Sequence, residues 1–160
     1  MTGVLSALVV MAAVVVLAHI VRVDFDTMKV RNRAVLVLLA LYGLWTALNG
    51  FQSLATDIGA GVLLFMIALV MWLVGAMGAG DVKLYAVLGM FIGFAHLGLY
   101  VILLVIVSVV FVVFLRISAR MQGSGQIVSR MRDFNSSGKA PYAVPMGLAA
   151  IPAIVVRAFT

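Results

Sequence analysis

Six long apolar runs, separated by short polar or glycine-containing segments, constrain this chain more than any other feature. An α-helix needs roughly 20 apolar residues to cross the hydrocarbon core of a bilayer, and it satisfies its own backbone hydrogen bonds there. The runs therefore predict an all-α integral membrane protein, a single domain over residues 1–160 built as a bundle of transmembrane helices. The predicted helices span residues 3–21, 34–48, 58–77, 82–96, 98–115 and 142–156.

The composition agrees with a membrane protein. Hydrophobic residues make up 66% of the chain, charged residues 10%, and the mean hydropathy is +1.27, whereas a soluble domain is roughly half apolar and a quarter charged. The chain has no cysteine, which excludes disulfides and thiolate metal or redox sites. The excess of Lys and Arg is explained by membrane topology, so we expect the lipid bilayer and not nucleic acid as a partner.

The positions of the basic residues predict the orientation of the chain. Four of them lie within residues 22–33, Lys83 lies between the third and fourth predicted helices, and five lie within residues 116–139. The alternate loops contain no Lys or Arg, and only Arg157 falls on their side. The positive-inside rule therefore predicts that the basic loops are cytoplasmic, that residues 116–141 form a cytoplasmic loop, and that both termini are outside.

The acidic residues are all aspartates, and their placement is uneven. Asp24, Asp26 and Asp81 fall at predicted helix ends on the cytoplasmic side, whereas Asp57 precedes the third helix on the outer side and Asp133 lies in the basic loop. A carboxylate at the bilayer centre costs roughly 2.5–3.5 kcal/mol. An acidic residue beside an apolar run is therefore expected to have a structural or functional role. The first three could meet at one face of a bundle, while Asp57 and Asp133 have no obvious partner.

Two glycines precede Asp81, in the segment Gly78-Ala79-Gly80-Asp81-Val82-Lys83. Glycine weakens a helix and permits unwound backbone or the close approach of another chain. A peptide substrate that lies extended beside a carboxyl group would need such a surface, formed by Gly78, Gly80 and Lys83. The alternative is a simple turn in which a solvated Asp81 is balanced by Lys83.

The residues alone leave three classes of function open. Asp24 and Asp81 could form the catalytic pair of an aspartyl protease, or they could be relay groups of a small proton-coupled transporter or channel. The glycines could also serve only to pack helices in a non-catalytic assembly subunit. A transport path would need polar groups near the midplane, and the later spans offer none there, so the protease is favoured.

The segment that runs from Gly78 to Leu84 resembles the Gly-x-Gly-Asp signature of the type IV prepilin peptidases, also called type IV leader peptidases. The segment Asp24–Arg33 resembles the family's stretch after the first helix, in which an Asp is followed by basic residues and Ile-Pro-Asn. The segment Pro141–Pro145 resembles the Pro-Tyr segment that opens the last helix. Together with the predicted topology, the resemblance covers nearly the whole chain.

The resemblance implies which residues carry the activity. Counting back from Asn32, the family's catalytic Asp falls on Asp24 and leaves Asp26 as its rival, while the Gly-x-Gly-Asp motif identifies Asp81. Arg31 stands where the family usually has Pro, so the turn after the first helix departs from the pattern.

The resemblance also implies the substrate and the location. The expected activity is removal of the basic leader of a type IV prepilin after a glycine, at the cytoplasmic edge of the bacterial inner membrane. No metal or other cofactor is expected. The compact, cysteine-free chain resembles the peptidase-only members that serve tight-adherence (Flp) pili, so N-methylation of the product is not expected.

Overall fold

The computed structural model describes residues 2–120 and 141–159, and within them every regular element is an α-helix. Three helical stretches are long and apolar enough to cross a membrane: Gly3–Thr27, Leu54–Leu73 and Ala79–Ile117. Two shorter apolar helices cover Asn32–Leu48 and Ala143–Phe159. The prediction of an all-α membrane protein is therefore confirmed. The helices are α1 (Thr2–Thr27), α2 (Asn32–Leu48), α3 (Leu54–Leu73), α4 (Ala79–Arg120) and α5 (Ala143–Phe159).

Helix α4 is broken at Gly93, where φ is 65° and ψ is 161°. A straight helix would carry Leu115 about 50 Å away from Asp81, yet Leu115 packs against Phe25 in the last turns of α1. The second half of α4, residues 94–120, therefore folds back along the first half, residues 79–92. The broken helix thus supplies two antiparallel segments.

The observed helix ends differ from the predicted ones. Helix α1 continues six residues beyond the predicted end, through the polar residues up to Thr27, and it stops where Met28 adopts a left-handed conformation with φ 51°. Helix α3 ends at Leu73 and is followed by Gly75 with φ 76°. Helix α4 begins at Ala79 and extends to Arg120, into the predicted loop 116–141, of which residues 121–140 lie outside the described residues.

The bundle has two distinct ends. Helix α1 ends where α4 and α5 begin, and we call this the aspartate end. Asp24 accepts a hydrogen bond from the first residue of α5 and interacts electrostatically with Asp81 in the first turn of α4. At the opposite end, the arginine end, α3 begins and α5 finishes, and Arg157 forms a buried ion pair with Asp57. The sequence-based view that Asp57 lacks a partner is therefore wrong. Asp133 lies outside the described residues.

Helix α5 is buried along much of its length. It contacts both α1 and α4, and its buried face consists largely of small side chains. Because these side chains barely protrude, the backbone of α5 lies close to its neighbours. The small buried residues of α5 are Ala143, Gly147, Ala149, Ala150 and Ala153.

We expect Gly93→Ala to destabilise the protein. A left-handed conformation costs an L-residue roughly 1–2 kcal/mol, and a Cβ at this position would lie 2.6 Å from Nη1 of Arg157 and 2.9 Å from Oδ1 of Asp57. The matched control is Gly98→Ala, because Gly98 is helical and has no neighbour within 4 Å of its Cβ position. The midpoint of thermal unfolding in detergent should fall for Gly93→Ala and should stay the same or rise for Gly98→Ala. Equal midpoints for the two variants would contradict the expectation.

Candidate active site

Asp24 lies near the end of α1 and is almost completely buried, with 3% of its surface exposed. Its Oδ2 accepts a hydrogen bond of 3.1 Å from the backbone N–H of Ala143, the first residue of α5. The first N–H groups of a helix lack partners within the helix, and the helix dipole adds partial positive charge there. A carboxylate is stabilised at such a position, so the start of α5 holds the Asp24 side chain in place.

Asp26 has a different environment. It lies two residues farther along α1, which is about 200° around the helix axis, so the two carboxyl groups face different sides of α1. The side chain of Asp26 is exposed, whereas that of Asp24 is buried. Burial and the contact with α5 therefore distinguish Asp24 from the residue that the sequence left as its rival.

Asp81 lies in the first turn of α4 and has 8% of its surface exposed. The backbone of Gly78 hydrogen-bonds to its carboxyl group, and a Cβ at position 78 would lie 3.1 Å from Oδ2 of Asp81. The Asp81 carboxyl group interacts electrostatically with that of Asp24. The fold thus brings together two acids from separate helices inside an apolar bundle.

The start of α4 rests against the connection between α1 and α2. A Cβ at Gly80 would lie 3.1 Å from Cβ and 3.2 Å from the carbonyl oxygen of Val30, so the glycine permits this backbone approach within the chain. The Nζ of Lys83 donates a hydrogen bond of 3.1 Å to Oδ1 of Asn32, the first residue of α2. These two contacts fix the segment that carries Asp81.

A second close approach joins α1 to α5. Gly147 lies one turn after Ala143, and a Cβ at position 147 would overlap Cγ2 of Val21 and lie 3.4 Å from Cδ1 of Leu17. Val21 lies about one turn before Asp24. The missing side chain at position 147 lets the two helices approach closely, which allows the Ala143 N–H to reach Asp24.

The two buried carboxyl groups are suited to acid–base chemistry. When two carboxyl groups interact electrostatically, ionisation of one disfavours ionisation of the other. One group can then be protonated while the other is ionised. Such a pair can accept a proton from water and donate a proton to a carbonyl oxygen or a leaving group. Within residues 2–120 and 141–159, no three His, Cys, Asp or Glu side chains form a group that could hold a metal ion.

The contact between Asp24 and Ala143 was not predicted from the sequence. The resemblance drew attention to the segment from Pro141 to Pro145, and prolines are tolerated in the first turn of a helix. A backbone N–H, however, has no residue-type signature that would reveal its acceptor. Only the fold shows that the start of α5 reaches the end of α1.

The model of the type IV leader peptidase family matches residues 10–117 of the chain. The matched region is more than half of the chain, includes Asp24 and Asp81, and ends before α5 begins. No curated protein and no solved structure gives a significant match to the chain.

The contact between Asp24 and Ala143 predicts a difference between two substitutions. Asp24→Asn retains an acceptor oxygen for the N–H of Ala143, whereas Asp24→Leu leaves it without a side-chain partner. We expect the free energy of unfolding to be about 1 kcal/mol lower for Asp24→Leu than for Asp24→Asn, as for the loss of a helix N-cap. Unfolding of the purified variants in detergent measures the difference.

The same two substitutions at the exposed Asp26 provide the control. Their free energies of unfolding should differ by less than about 0.5 kcal/mol, as is usual at surface positions. Equal stabilities of the two Asp24 variants would contradict the proposed role of Asp24 as the cap of α5.

Proposed function

Because the chain belongs to the type IV leader peptidase family, we propose that it removes the leaders of Flp-type prepilins with water activated between Asp24 and Asp81. Family membership makes the chain a membrane-embedded leader peptidase that processes prepilins, and it favours this function over a transporter or a scaffold. The observation that supports the assignment of the two aspartates is that both are buried and that their carboxyl groups interact electrostatically.

In the proposed reaction, one carboxylate accepts a proton from a water molecule as the water oxygen attacks the scissile carbonyl carbon. The other carboxyl group, which is protonated, donates a hydrogen bond to the carbonyl oxygen. Collapse of the tetrahedral intermediate breaks the C–N bond, and the proton taken from water passes to the leaving amine. Hydrolysis therefore consumes one water molecule and leaves the protonation of the pair as it was.

The contact with α5 supports a division of roles between the two acids. The N–H of Ala143 donates to Oδ2 of Asp24 and stabilises negative charge there. Asp24 is accordingly proposed as the group that is ionised at the start of the reaction and accepts the proton from water. Asp81 is proposed as the group that hydrogen-bonds to the substrate carbonyl. Gly78 and Lys83 are proposed to lie beside the extended substrate backbone, whereas Gly80 serves the backbone approach of Val30.

The charge distribution supports a cytoplasmic position for the site. The basic residues of the first connection and Lys83 lie at the aspartate end, whereas Arg157 lies at the opposite end. The positive-inside rule then favours an aspartate end that faces the cytoplasm of the bacterial inner membrane, with both termini outside. A site at this depth has access to water and to the boundary between a basic leader and an apolar helix.

The central test is cleavage of a co-expressed Flp-type prepilin, followed by mass spectrometry of the product. Asp24→Asn and Asp81→Asn should each lower the rate of leader removal at least ~100-fold, because each removes a group that transfers or holds a proton. Asp26→Asn should stay within a few-fold of the parent protein, since Asp26 is exposed and lies on another face of α1.

Two results would contradict the assignment. Full processing by folded Asp81→Asn would exclude the aspartyl mechanism, and loss of processing in Asp26→Asn with survival in Asp24→Asn would replace Asp24 by Asp26. A prepilin with a bulky substitution at the glycine before the cleavage site serves as the substrate control. It should remain uncleaved by every variant.

We also propose that the chain has no N-methyltransferase activity, which gives a separate prediction for the same product. The mature pilin should carry a free α-amino group, so its intact mass should match the cleaved sequence without an added methyl group. The measurement is made on pilin from a host that has no other leader peptidase. A product that carries the additional methyl mass would show that the chain also transfers methyl groups.

A further inference from the structure

A buried ion pair occupies the arginine end of the bundle, far from the two aspartates of the proposed site. The Nη2 of Arg157 lies 2.7 Å from Oδ1 and 2.6 Å from Oδ2 of Asp57, and the side chains are 10% and 2% exposed. Tyr42 and Ser53 donate hydrogen bonds of 3.0 and 2.9 Å to Oδ2 of Asp57. The carboxylate is therefore surrounded by donors from α2, α5 and the start of α3.

The same guanidinium group also binds the broken helix α4. Its Nη1 donates to the carbonyl oxygens of Met90 and Phe91, at 2.8 and 3.0 Å. These carbonyls precede the break at Gly93, which interrupts the hydrogen-bonding pattern of the helix. The guanidinium group also lies 4.8 Å from the centre of the Trp45 ring. Arg157 thus acts as a cationic cap for the first half of α4.

The consequence of these contacts reaches the other end of the bundle. The first half of α4 begins with Asp81 and ends at the carbonyls that Arg157 binds, about 15 Å away. Helix α5 begins with the N–H that holds Asp24 and carries Arg157 about 21 Å farther along. Two parallel helices are thus pinned to each other at one end, and each contributes to the aspartate site at its other end.

Alanine and glycine occupy five of the nine buried positions of α5 and form shallow ridges and grooves there. Such stretches resist sliding along the helix axis less than interlocked large side chains do. Directional contacts at the helix ends must therefore supply much of the axial registration. The contacts of Nη2 with both oxygens of Asp57, and of Nη1 with the two carbonyls of α4, are directional contacts of this kind.

We infer that Arg157, held by Asp57, is a positioning residue that fixes the axial register of α5 against α4 and thereby the geometry of the Asp24–Asp81 pair. This role rests on the proposed function of the two aspartates. A misplacement of about 1 Å between catalytic groups can lower a rate by about 100-fold. The main effect of loosening the pair is consequently a fall in kcat, with a smaller effect on substrate binding.

The test uses full-length enzyme in detergent and a prepilin substrate. Arg157→Lys keeps the charge opposite Asp57 but loses the planar fork that also reaches the α4 carbonyls. The double variant Asp57→Asn/Arg157→Gln provides a second form without an unpaired buried charge. Arg33→Lys, at an exposed arginine of α2, is the matched control. Per folded molecule, both network variants should show kcat at least ~10-fold lower, with KM within about two-fold.

A second readout, which needs no activity, measures the position of α5 against α1, the helix that carries Asp24. The chain has no cysteine, and Gly147 of α5 lies against Val21 of α1, so Val21→Cys/Gly147→Cys reports their proximity. The rate of oxidative crosslinking of this pair should fall when Arg157→Lys is added and should be unchanged when Arg33→Lys is added. Folded network variants with the parent kcat and the parent crosslinking rate would overturn the positioning role.

The two readouts also separate this inference from the proposed function. If the parent enzyme does not cleave prepilin, the proposed function fails, whereas the crosslinking rates still report the position of α5 against α1. If the parent cleaves prepilin and the network variants match its kcat, the function stands and the positioning role fails. A rise in KM with unchanged kcat and unchanged crosslinking would likewise overturn the positioning role.

Discussion

Polar groups within an apolar bundle need partners, because unpaired charge in hydrocarbon is costly. This constraint organises both ends of the molecule. At the aspartate end, the buried carboxyl group of Asp24 meets the N–H of Ala143, and the backbone of Gly78 supports Asp81. At the arginine end, Asp57 is neutralised by Arg157. The first arrangement keeps two acids together, which suits proton transfer, and the second pairs opposite charges, which suits anchoring.

Helices α4 and α5 connect these two ends. Glycines let the elements approach closely at several places. Among them are Gly80 at the connection after α1, Gly147 against α1, Gly89 against α3, and Gly93 beneath the guanidinium group of Arg157. The polar contacts at the two ends then fix the axial positions of α4 and α5. Helix α5 contributes a backbone N–H to the site although it lies beyond the region that the family model matches.

Much of this architecture follows from the sequence. Long apolar runs indicate membrane helices, and the two glycines before Asp81 indicate that it is a candidate functional residue. The local sequence pattern does not reveal the partner of Asp24, because only the fold brings Asp24 and Ala143 together. Nor does it distinguish Asp24 from Asp26, because both residues are aspartates. Asp57 and Arg157 did carry a signal: a lone acid and a lone cation on the predicted outer side of an apolar chain are each costly alone. The pairing of Asp57 with Arg157 was therefore predictable from the sequence on physical grounds.

The most direct measurement of the central claim compares Asp24→Asn, Asp81→Asn and the double variant in one prepilin-cleavage assay. Groups that act as a unit show strongly non-additive losses, since removing either one already abolishes their shared step. The double variant should therefore retain about the same residual rate as each single variant. Losses that multiply, so that the double variant is slower by the product of the two single effects, would show that the two aspartates act independently and would contradict a shared catalytic pair.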